Sequence, residues 1–218
     1  MIEAVIFDVG GVLAYDVWEH LLLDESEGVA STWKLDRQQV ERAGRALWEE
    51  FSIRPSVGDC GWQELEKEYW RTFVDRLHLR IPIEELIHLS ESFIRPVEGM
   101  VDLLNELQGR FELALCSDNT EFWFERQMSK AGLHKFFNPG NVVLSCRTGF
   151  SKSSPGFEMF RAVVGALDTD KNNCIFVDDR AGPILQATRF GLGGILFPSH
   201  ARYGARYLRF LLDHMRAA

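Results

Sequence analysis

Cysteine is scarce in this chain, and what there is lies scattered. The four residues are Cys60, Cys116, Cys146 and Cys174. None forms a CxxC pair and no histidine cluster stands beside them, which excludes a redox dithiol or a zinc finger. Cys116 and Cys174 fall inside apolar runs, where a free thiol packs as a small hydrophobe. All four read as reduced and structural, which suits a cytoplasmic protein. Basic charge is also short: 24 Lys and Arg face 32 Asp and Glu, a net charge of −8. No general positive field is on offer to nucleic acid. No apolar run approaches the roughly 18 residues of a membrane span. The opening MIEAVIFDVGG lacks the basic stretch and long apolar core of a signal peptide. Repeats and low-complexity tracts are missing too. What remains is a globular balance of 46% hydrophobic and 26% charged residues over 218 positions. That is room for one large domain, or one domain with an insert, as a monomer or homodimer. An acidic protein that handles anions must gather positive charge locally, and a bound cation is one source.

Several short apolar runs mark fully buried strands. Ala4-Val5-Ile6-Phe7 stops at Asp8 and a Gly10-Gly11 turn. Leu113 to Cys116, Val142 to Leu144, Ile175 to Val177 and Ile195 to Phe197 are alike: too short for stable helices, too continuous for half-exposed strands. Helical patterns alternate with them. Met100, Leu103, Leu104 and Leu107 share one face, and Trp123, Phe124, Met128 and Ala131 another. Ser154-Pro155 predicts a capped helix start, with Phe157, Phe160, Val163, Val164 and Leu167 as its buried stripe. Ile184, Leu185 and Thr188 mark a further helix. Tyr203, Tyr207, Phe210 and Leu211 predict a last amphipathic helix docked on the core. Strand–helix alternation implies an α/β fold: a Rossmann-like parallel sheet with helices on both faces.

Residues 14–96 differ, because their patterns are helical throughout. Asp36 and Gln39 resemble a capping box ahead of Val40, Ala43, Leu47 and Phe51. Trp62, Leu65, Tyr69, Phe73 and Leu77 form a second stripe. Pro82 opens a third helix with Ile83, Leu86 and Ile87. The block is expected to be an all-helical cap inserted into a core domain of residues 1–13 and 97–218.

Ligands of an open parallel sheet bind beyond the carboxyl ends of its strands. The residues that follow the apolar runs there are Asp8-Val9-Gly10-Gly11, Ser117-Asp118-Asn119, Ser145-Cys146-Arg147 and Asp178-Asp179-Arg180. Three carboxylates gathered at one rim repel, and a hard divalent cation relieves them. Mg²⁺ takes a few such oxygens together with water and substrate phosphate. Asp8 could then attack phosphorus and form an aspartyl-phosphate that water hydrolyses. Asp178 and Asp179 taken singly could equally be helix caps. Asp8 is far from the next helix, and the glycines beside it suit a close ligand approach.

These residues resemble those of the haloacid dehalogenase superfamily. FDVGGVL, Phe7 to Leu13, is similar to its first motif, written hhhDxDGVL. CSDN, Cys116 to Asn119, is similar to the second, a strand ending in Ser or Thr. FVDDRAGPILQATRFGLGGIL, Phe176 to Leu196, is similar to the fourth. The insert resembles a C1 cap. The ordered set spans nearly the whole chain. The resemblance implies a hydrolase in which Asp8 is nucleophile and Mg²⁺ ligand. It implies further ligands in the Gly10 carbonyl, in Asp179 directly, and in Asp178 nearby or through water. It implies a phosphate-binding set of Val9, Ser117, Asp118, Asn119 and Lys152, with Ser117 and Lys152 catalytic beside Asp8.

Two departures stand out. The family carries a second acid two residues after the nucleophile, which protonates the leaving group and then activates water, a contribution of about 10²–10⁴-fold. Gly10 occupies that position. The third motif is a Lys directly before Pro, whereas alignment on Pro155 leaves Ser154 there. Lys152, two residues earlier, needs a bulged loop to reach in. Arg147, Arg180, Asp16, Trp18 and His20 are softer candidates for facing substrate, and the tryptophans of the insert read as packing. The reading drawn from these residues is an Mg²⁺-dependent phosphatase for a small phosphorylated metabolite, a sugar phosphate being one candidate. Haloacid dehalogenation and a catalytically degenerate binding protein are the alternatives.

Overall fold

A computed structural model describes residues 2–15, 21–52, 62–198 and 203–215. Asp16, Trp18, His20 and Cys60 lie outside the described residues, as do the side chains of Trp48, Phe51, Trp62 and Leu65. The strands are β1 (Ala4–Phe7), β2 (Glu112–Ser117), β3 (Val142–Leu144), β4 (Cys174–Asp178) and β5 (Gly193–Leu196). In chain order the helices are α1 (Val29–Thr32), α2 (Arg37–Ser52), α3 (Trp62–Arg76), α4 (Ile83–Ser92), α5 (Met100–Leu107), α6 (Glu121–Ala131), α7 (Ser145–Thr148), α8 (Glu158–Ala166), α9 (Ala181–Phe190) and α10 (Gly204–Met215).

The strands form one parallel sheet in the order β3-β2-β1-β4-β5. β1 lies at its centre and is buried along its whole length. Successive side chains of a strand point to opposite faces, so β1 feeds two cores. Val5 and Phe7 join the core made with α5, α6 and α10, through residues such as Leu103, Leu104, Phe124, Met128, Leu208 and Leu212. Ala4 and Ile6 join the core made with α8 and α9, through Met159, Phe160, Val163 and Ala187. The α/β fold with helices on both faces is therefore the observed one.

Three local expectations change. Ser154-Pro155 does not open α8; that helix begins at Glu158, and Phe157 caps it in the left-handed region at φ 59°. The preceding turns are spent on delivering Lys152 to the site. The aromatics at α10 do not dock: Tyr203, just before the helix, Tyr207 and Phe210 are exposed, while Leu211 packs partly against the core and Ala205, Leu208 and Leu212 are buried in it. Those three recur at helical spacing, which leaves the rings on the outer face. Leu185 is likewise exposed, and Pro183 and Ala187 form the buried side of α9.

α1 to α4 build a separate apolar cluster around Val40, Leu47, Tyr69, Trp70, Phe73 and Leu86. Asp36 caps α2, accepting the Gln39 backbone N–H at 2.8 Å. The chain leaves the sheet and returns to it side by side: Tyr15 N–H donates to Arg95 O at 3.1 Å and Val97 N–H to Leu13 O at 2.9 Å. α6 joins the two bodies. Its Trp123 is buried in the helical cluster, and its Arg126 meets Glu66 of α3 at 3.2 Å and also Glu91 of α4. Lys130 reaches Glu91 at 3.1 Å. Glu66 is almost wholly buried, and Ser90 donates its hydroxyl to it at 3.1 Å.

Removing one partner of a buried pair strands the other charge. Arg126→Met is expected to lower unfolding stability by about 3–5 kcal/mol, measured by urea denaturation. Arg126→Met with Glu66→Met should recover much of the loss.

Candidate active site

β1, β2 and β4 are adjacent and parallel, so their carboxyl ends place Asp8, Ser117 and Asp178 side by side. Asp8 N–H donates to Val177 O at 2.9 Å, which extends the ladder one residue past β1 and fixes where the carboxyl leaves the sheet. Asp8, Ser117 and Asp178 are all buried.

Lys152 is the centre of the arrangement. Its ammonium lies 2.8 Å from Asp8 Oδ2 and 2.6 Å from Asp178 Oδ2, and its side chain is wholly buried. The ammonium also sits 5.6 Å from the centre of the Phe176 ring. The loop after α7 bulges as the sequence required. Its anchor is Asp118, whose Oδ1 accepts the Lys152 backbone N–H at 2.9 Å. The two-residue displacement from Pro155 is thus absorbed by the backbone, and the charge reaches its place.

Protonation follows from these contacts. Burial pushes the Asp8 carboxyl up, but Lys152 and Arg180, with hydrogen bonds from Lys152 and Ser117, outweigh it and hold Asp8 below the usual carboxylate range. Asp178 goes the other way: its burial, reinforced by the charge of Asp8, prevails over Lys152. Burial alone would lower Lys152, yet Asp8 and Asp178 keep it above the ordinary lysine value. The rim therefore offers an ionised carboxylate clamped by a permanent ammonium. Nearby, burial pushes the Cys116 thiol well up, so it stays protonated and inert.

Asp8, Asp178 and Asp179 each present an oxygen, all within 4.8 Å of one another. Oxygens around one such cation stand about 3.0–4.2 Å apart, given metal–oxygen bonds of about 2.1 Å, so side-chain adjustments of a few tenths of an ångström would close the three acids on an ion. The donor set is all oxygen and leaves positions for water and substrate, which fits a small divalent ion. Gly11 makes the cluster possible. Its φ is +75°, and an added Cβ would lie 2.1 Å from Asp179 Oδ2, so the acid occupies the space a side chain would need. At Gly10 an added Cβ meets nothing within 4 Å. The turn is held by Gly11 N–H donating to Ala14 O at 2.8 Å.

Other predicted residues are engaged differently. Val9 N–H donates to Asp8 Oδ1 at 2.8 Å, and Asn119 N–H to Ser145 Oγ at 2.9 Å. The sequence placed Ser145 at the rim without a role and did not single out Gln127. Ser145 holds the Asn119 backbone, and Gln127 accepts from Asn119 Nδ2 at 2.9 Å. Gln127 lies within a helical stripe and carries no signal along the chain. Arg147 turns away from the rim and grips Glu121, with Nε at 2.8 Å from Oε2.

The family model for haloacid dehalogenase-like hydrolase matches residues 2–189. A chloroplast flavin mononucleotide hydrolase 1 of Arabidopsis thaliana is 26% identical over 189 residues, covering 85% of this chain and 71% of that protein. A haloacid dehalogenase family enzyme of Bacteroides thetaiotaomicron, solved with magnesium and inorganic phosphate, superposes with a TM-score of 0.62 at 17% identity, over 92% of this chain and 96% of that one. The L-2-haloacid dehalogenase of Xanthobacter autotrophicus superposes with a TM-score of 0.63 at 19% identity, over 89% and 76%. At such identities the two structures speak for the fold.

The glycine pair separates two effects. Gly11→Ala is expected to push Asp179 aside and weaken Mg²⁺ binding at least tenfold in calorimetric titration, with a backbone cost of about 1–2 kcal/mol. Gly10→Ala should bind the ion as the native chain does.

Proposed function

The chain belongs to the haloacid dehalogenase-like hydrolase family, and from that premise we propose an Mg²⁺-dependent phosphatase acting on a small phosphorylated metabolite through an aspartyl-phosphate. The observation that carries this reading is the carboxylate cluster of Asp8, Asp178 and Asp179 drawn together around a buried lysine. Such a cluster suits a cation, and a cation beside a nucleophilic carboxylate suits a phosphate ester.

In this reading Asp8, Asp178, Asp179 and the Gly10 carbonyl hold the ion. Both Asp178 oxygens already accept hydrogen bonds, from Lys152 and from the Arg180 backbone N–H at 2.8 Å. Asp178 is also the more deeply buried of the adjacent acids, so this reading gives Asp179 the direct bond and Asp178 a water-mediated one. Bound Mg²⁺ would grip a phosphoryl oxygen and offset its charge. Asp8 attacks phosphorus as the ester P–O bond breaks, and the electron pair leaves on the ester oxygen. Water then attacks the same phosphorus, releasing phosphate and restoring the Asp8 carboxylate. Lys152 keeps Asp8 ionised for the first step and shields its charge from the incoming phosphate. Ser117 turns its one hydroxyl hydrogen from the Asp8 carboxyl to the transferred group, and the N–H groups of Val9 and Asn119 turn to the phosphate once it arrives. The helical block of residues 14–96 serves as the cap over this rim and sets substrate choice.

Gly10 narrows the substrate. No carboxyl at that position protonates the departing oxygen, so esters of weakly basic alcohols, an anomeric sugar phosphate among them, are favoured. The name of the Arabidopsis relative adds flavin mononucleotide to the compounds worth testing. Dehalogenation is less favoured, because the acids around Asp8 repel a carboxylate-bearing substrate unless a cation is bound.

Purified chain is expected to release phosphate from para-nitrophenyl phosphate and from members of a phosphorylated-metabolite panel only with Mg²⁺. Asp8→Asn should reduce the rate by roughly 10³-fold or more. Metal-free halide release would replace this reading with the dehalogenase one, and ion binding without turnover on any panel member would leave a binding protein. Gly10→Asp, whose Cβ would meet nothing within 4 Å, is expected to accelerate hydrolysis of primary-alcohol phosphates by up to about 10²-fold, read as kcat against leaving-group basicity.

A further inference from the structure

Arg180 stands at the cap position before α9, its backbone N–H on Asp178 Oδ1. Its side chain then swings across the rim. Nη2 stands 4.0 Å from Asp8 Oδ2 and 3.7 Å from Asp118 Oδ2, while Nε stands 3.8 Å from Asp178 Oδ1. Each of these distances exceeds a hydrogen bond. Elsewhere in the chain exposed arginines do close on a partner: Arg45 meets Glu41 at 3.1 Å and Arg147 meets Glu121 at 2.8 Å. Arg180 has three acids around it and closes on none, with 54% of its side chain exposed. A guanidinium is a planar fork of five donors matched to the oxygens of a phosphate. This one stands beside the nucleophile, half exposed, with its side-chain donors making no short contact among the described residues.

We propose that Arg180 is a catalytic residue that grips the transferring phosphoryl group, offsetting by charge what Gly10 cannot supply by proton transfer. The inference rests on the phosphatase reading. In a near-attack complex the phosphorus lies about 3–3.5 Å from the attacking oxygen. A guanidinium nitrogen 4.0 Å from Asp8 Oδ2 is then within hydrogen-bond reach of an oxygen on that phosphorus, with no change of backbone. As the Asp8 O–P bond forms and the ester P–O bond breaks, negative charge grows on the phosphoryl and leaving oxygens. Arg180 gives up no proton, since a guanidinium stays charged. It stabilises that charge in place, and the leaving oxygen takes its proton from water. Asp118 has a double part: it holds the Lys152 loop through Oδ1 and stands beside Arg180 through Oδ2.

The rival account is that Arg180 only balances the acids beneath it. The two accounts part on a simple measurement. Arg180→Met and Arg180→Lys are made in the full chain, with melting temperature as the check on folding. Orthovanadate and inorganic phosphate affinities are measured by calorimetry with Mg²⁺ present, Mg²⁺ affinity alone, and kcat/KM across aryl phosphates of graded leaving-group pKa. Arg180→Met is expected to weaken phosphate and vanadate at least tenfold and to lower kcat/KM by about 10²-fold. It should steepen the dependence on leaving-group pKa and leave Mg²⁺ affinity equal or tighter. Arg180→Lys should recover part of the anion affinity. Unchanged anion affinity and an unchanged leaving-group slope, with Mg²⁺ alone bound more tightly, would overturn the inference while the phosphatase reading stands. A native chain that neither binds nor releases phosphate with Mg²⁺ would bring down that reading and this one together.

Discussion

A buried ammonium between two buried carboxylates is the constraint to which the rest of the rim answers. Lys152 lies within 2.8 Å of both Asp8 and Asp178 and sees no solvent. A lone charge in that position would be costly by several kcal/mol, and two carboxylates facing each other without it would be worse. The three groups therefore stabilise one another only as a set. The strands deliver two members rigidly, because β1 and β4 are hydrogen-bonded neighbours in register. The third must come from a loop, and the loop is tied at its backbone to Asp118, at the end of the other neighbouring strand. The sheet thus positions all three charges, two by their own strands and one by a hydrogen bond.

That dependence explains which parts were legible from residues alone. Ala4 to Phe7 could be read as a buried strand because both faces of β1 are covered, so every residue had to be apolar. Asp8 could be read as a site residue because no helix begins close after it for the acid to cap. The Lys152 position was harder. A motif of Lys next to Pro is a statement about sequence spacing, while the site needs only a nitrogen at a point in space. Seven consecutive residues from Gly149 to Pro155 leave many ways for a long side chain to arrive there. What selects among them is the Asp118 contact, a tertiary hydrogen bond that leaves no pattern along the chain.

The same distinction accounts for α8 and α10. Ser154-Pro155 is a sound local signal for a helix start, but the chain is still occupied there with returning from the buried lysine. The helix waits until Glu158, at the cost of a left-handed Phe157. In α10 the large rings looked like the docking face. Ala205, Leu208 and Leu212 are buried instead, because the face with Tyr207 and Phe210 also carries Arg206, Arg209 and Asp213, whose charges keep it in water. Local propensity proposed these elements; a distant contact set the start of α8, and the solvation of charge set the rotation of α10.

The glycine turn after Asp8 shows how sparing the site is. Gly11 is needed because Asp179 fills the volume beside it. Gly10 is not needed for space, since nothing stands within 4 Å of where its side chain would begin. An open position next to a nucleophile is therefore chemical rather than steric in its consequence: it withholds a proton donor while preserving the backbone that a ligand approaches. If the chemistry at this rim is phosphoryl transfer, the burden of the departing negative charge moves from a proton to fixed positive charge. Lys152 is already committed to two carboxylates, and Arg147 to Glu121. Arg180 remains: among the described residues its side chain has three acids within 4.0 Å and none in hydrogen-bonding contact, which is the state a residue needs in order to receive an anion.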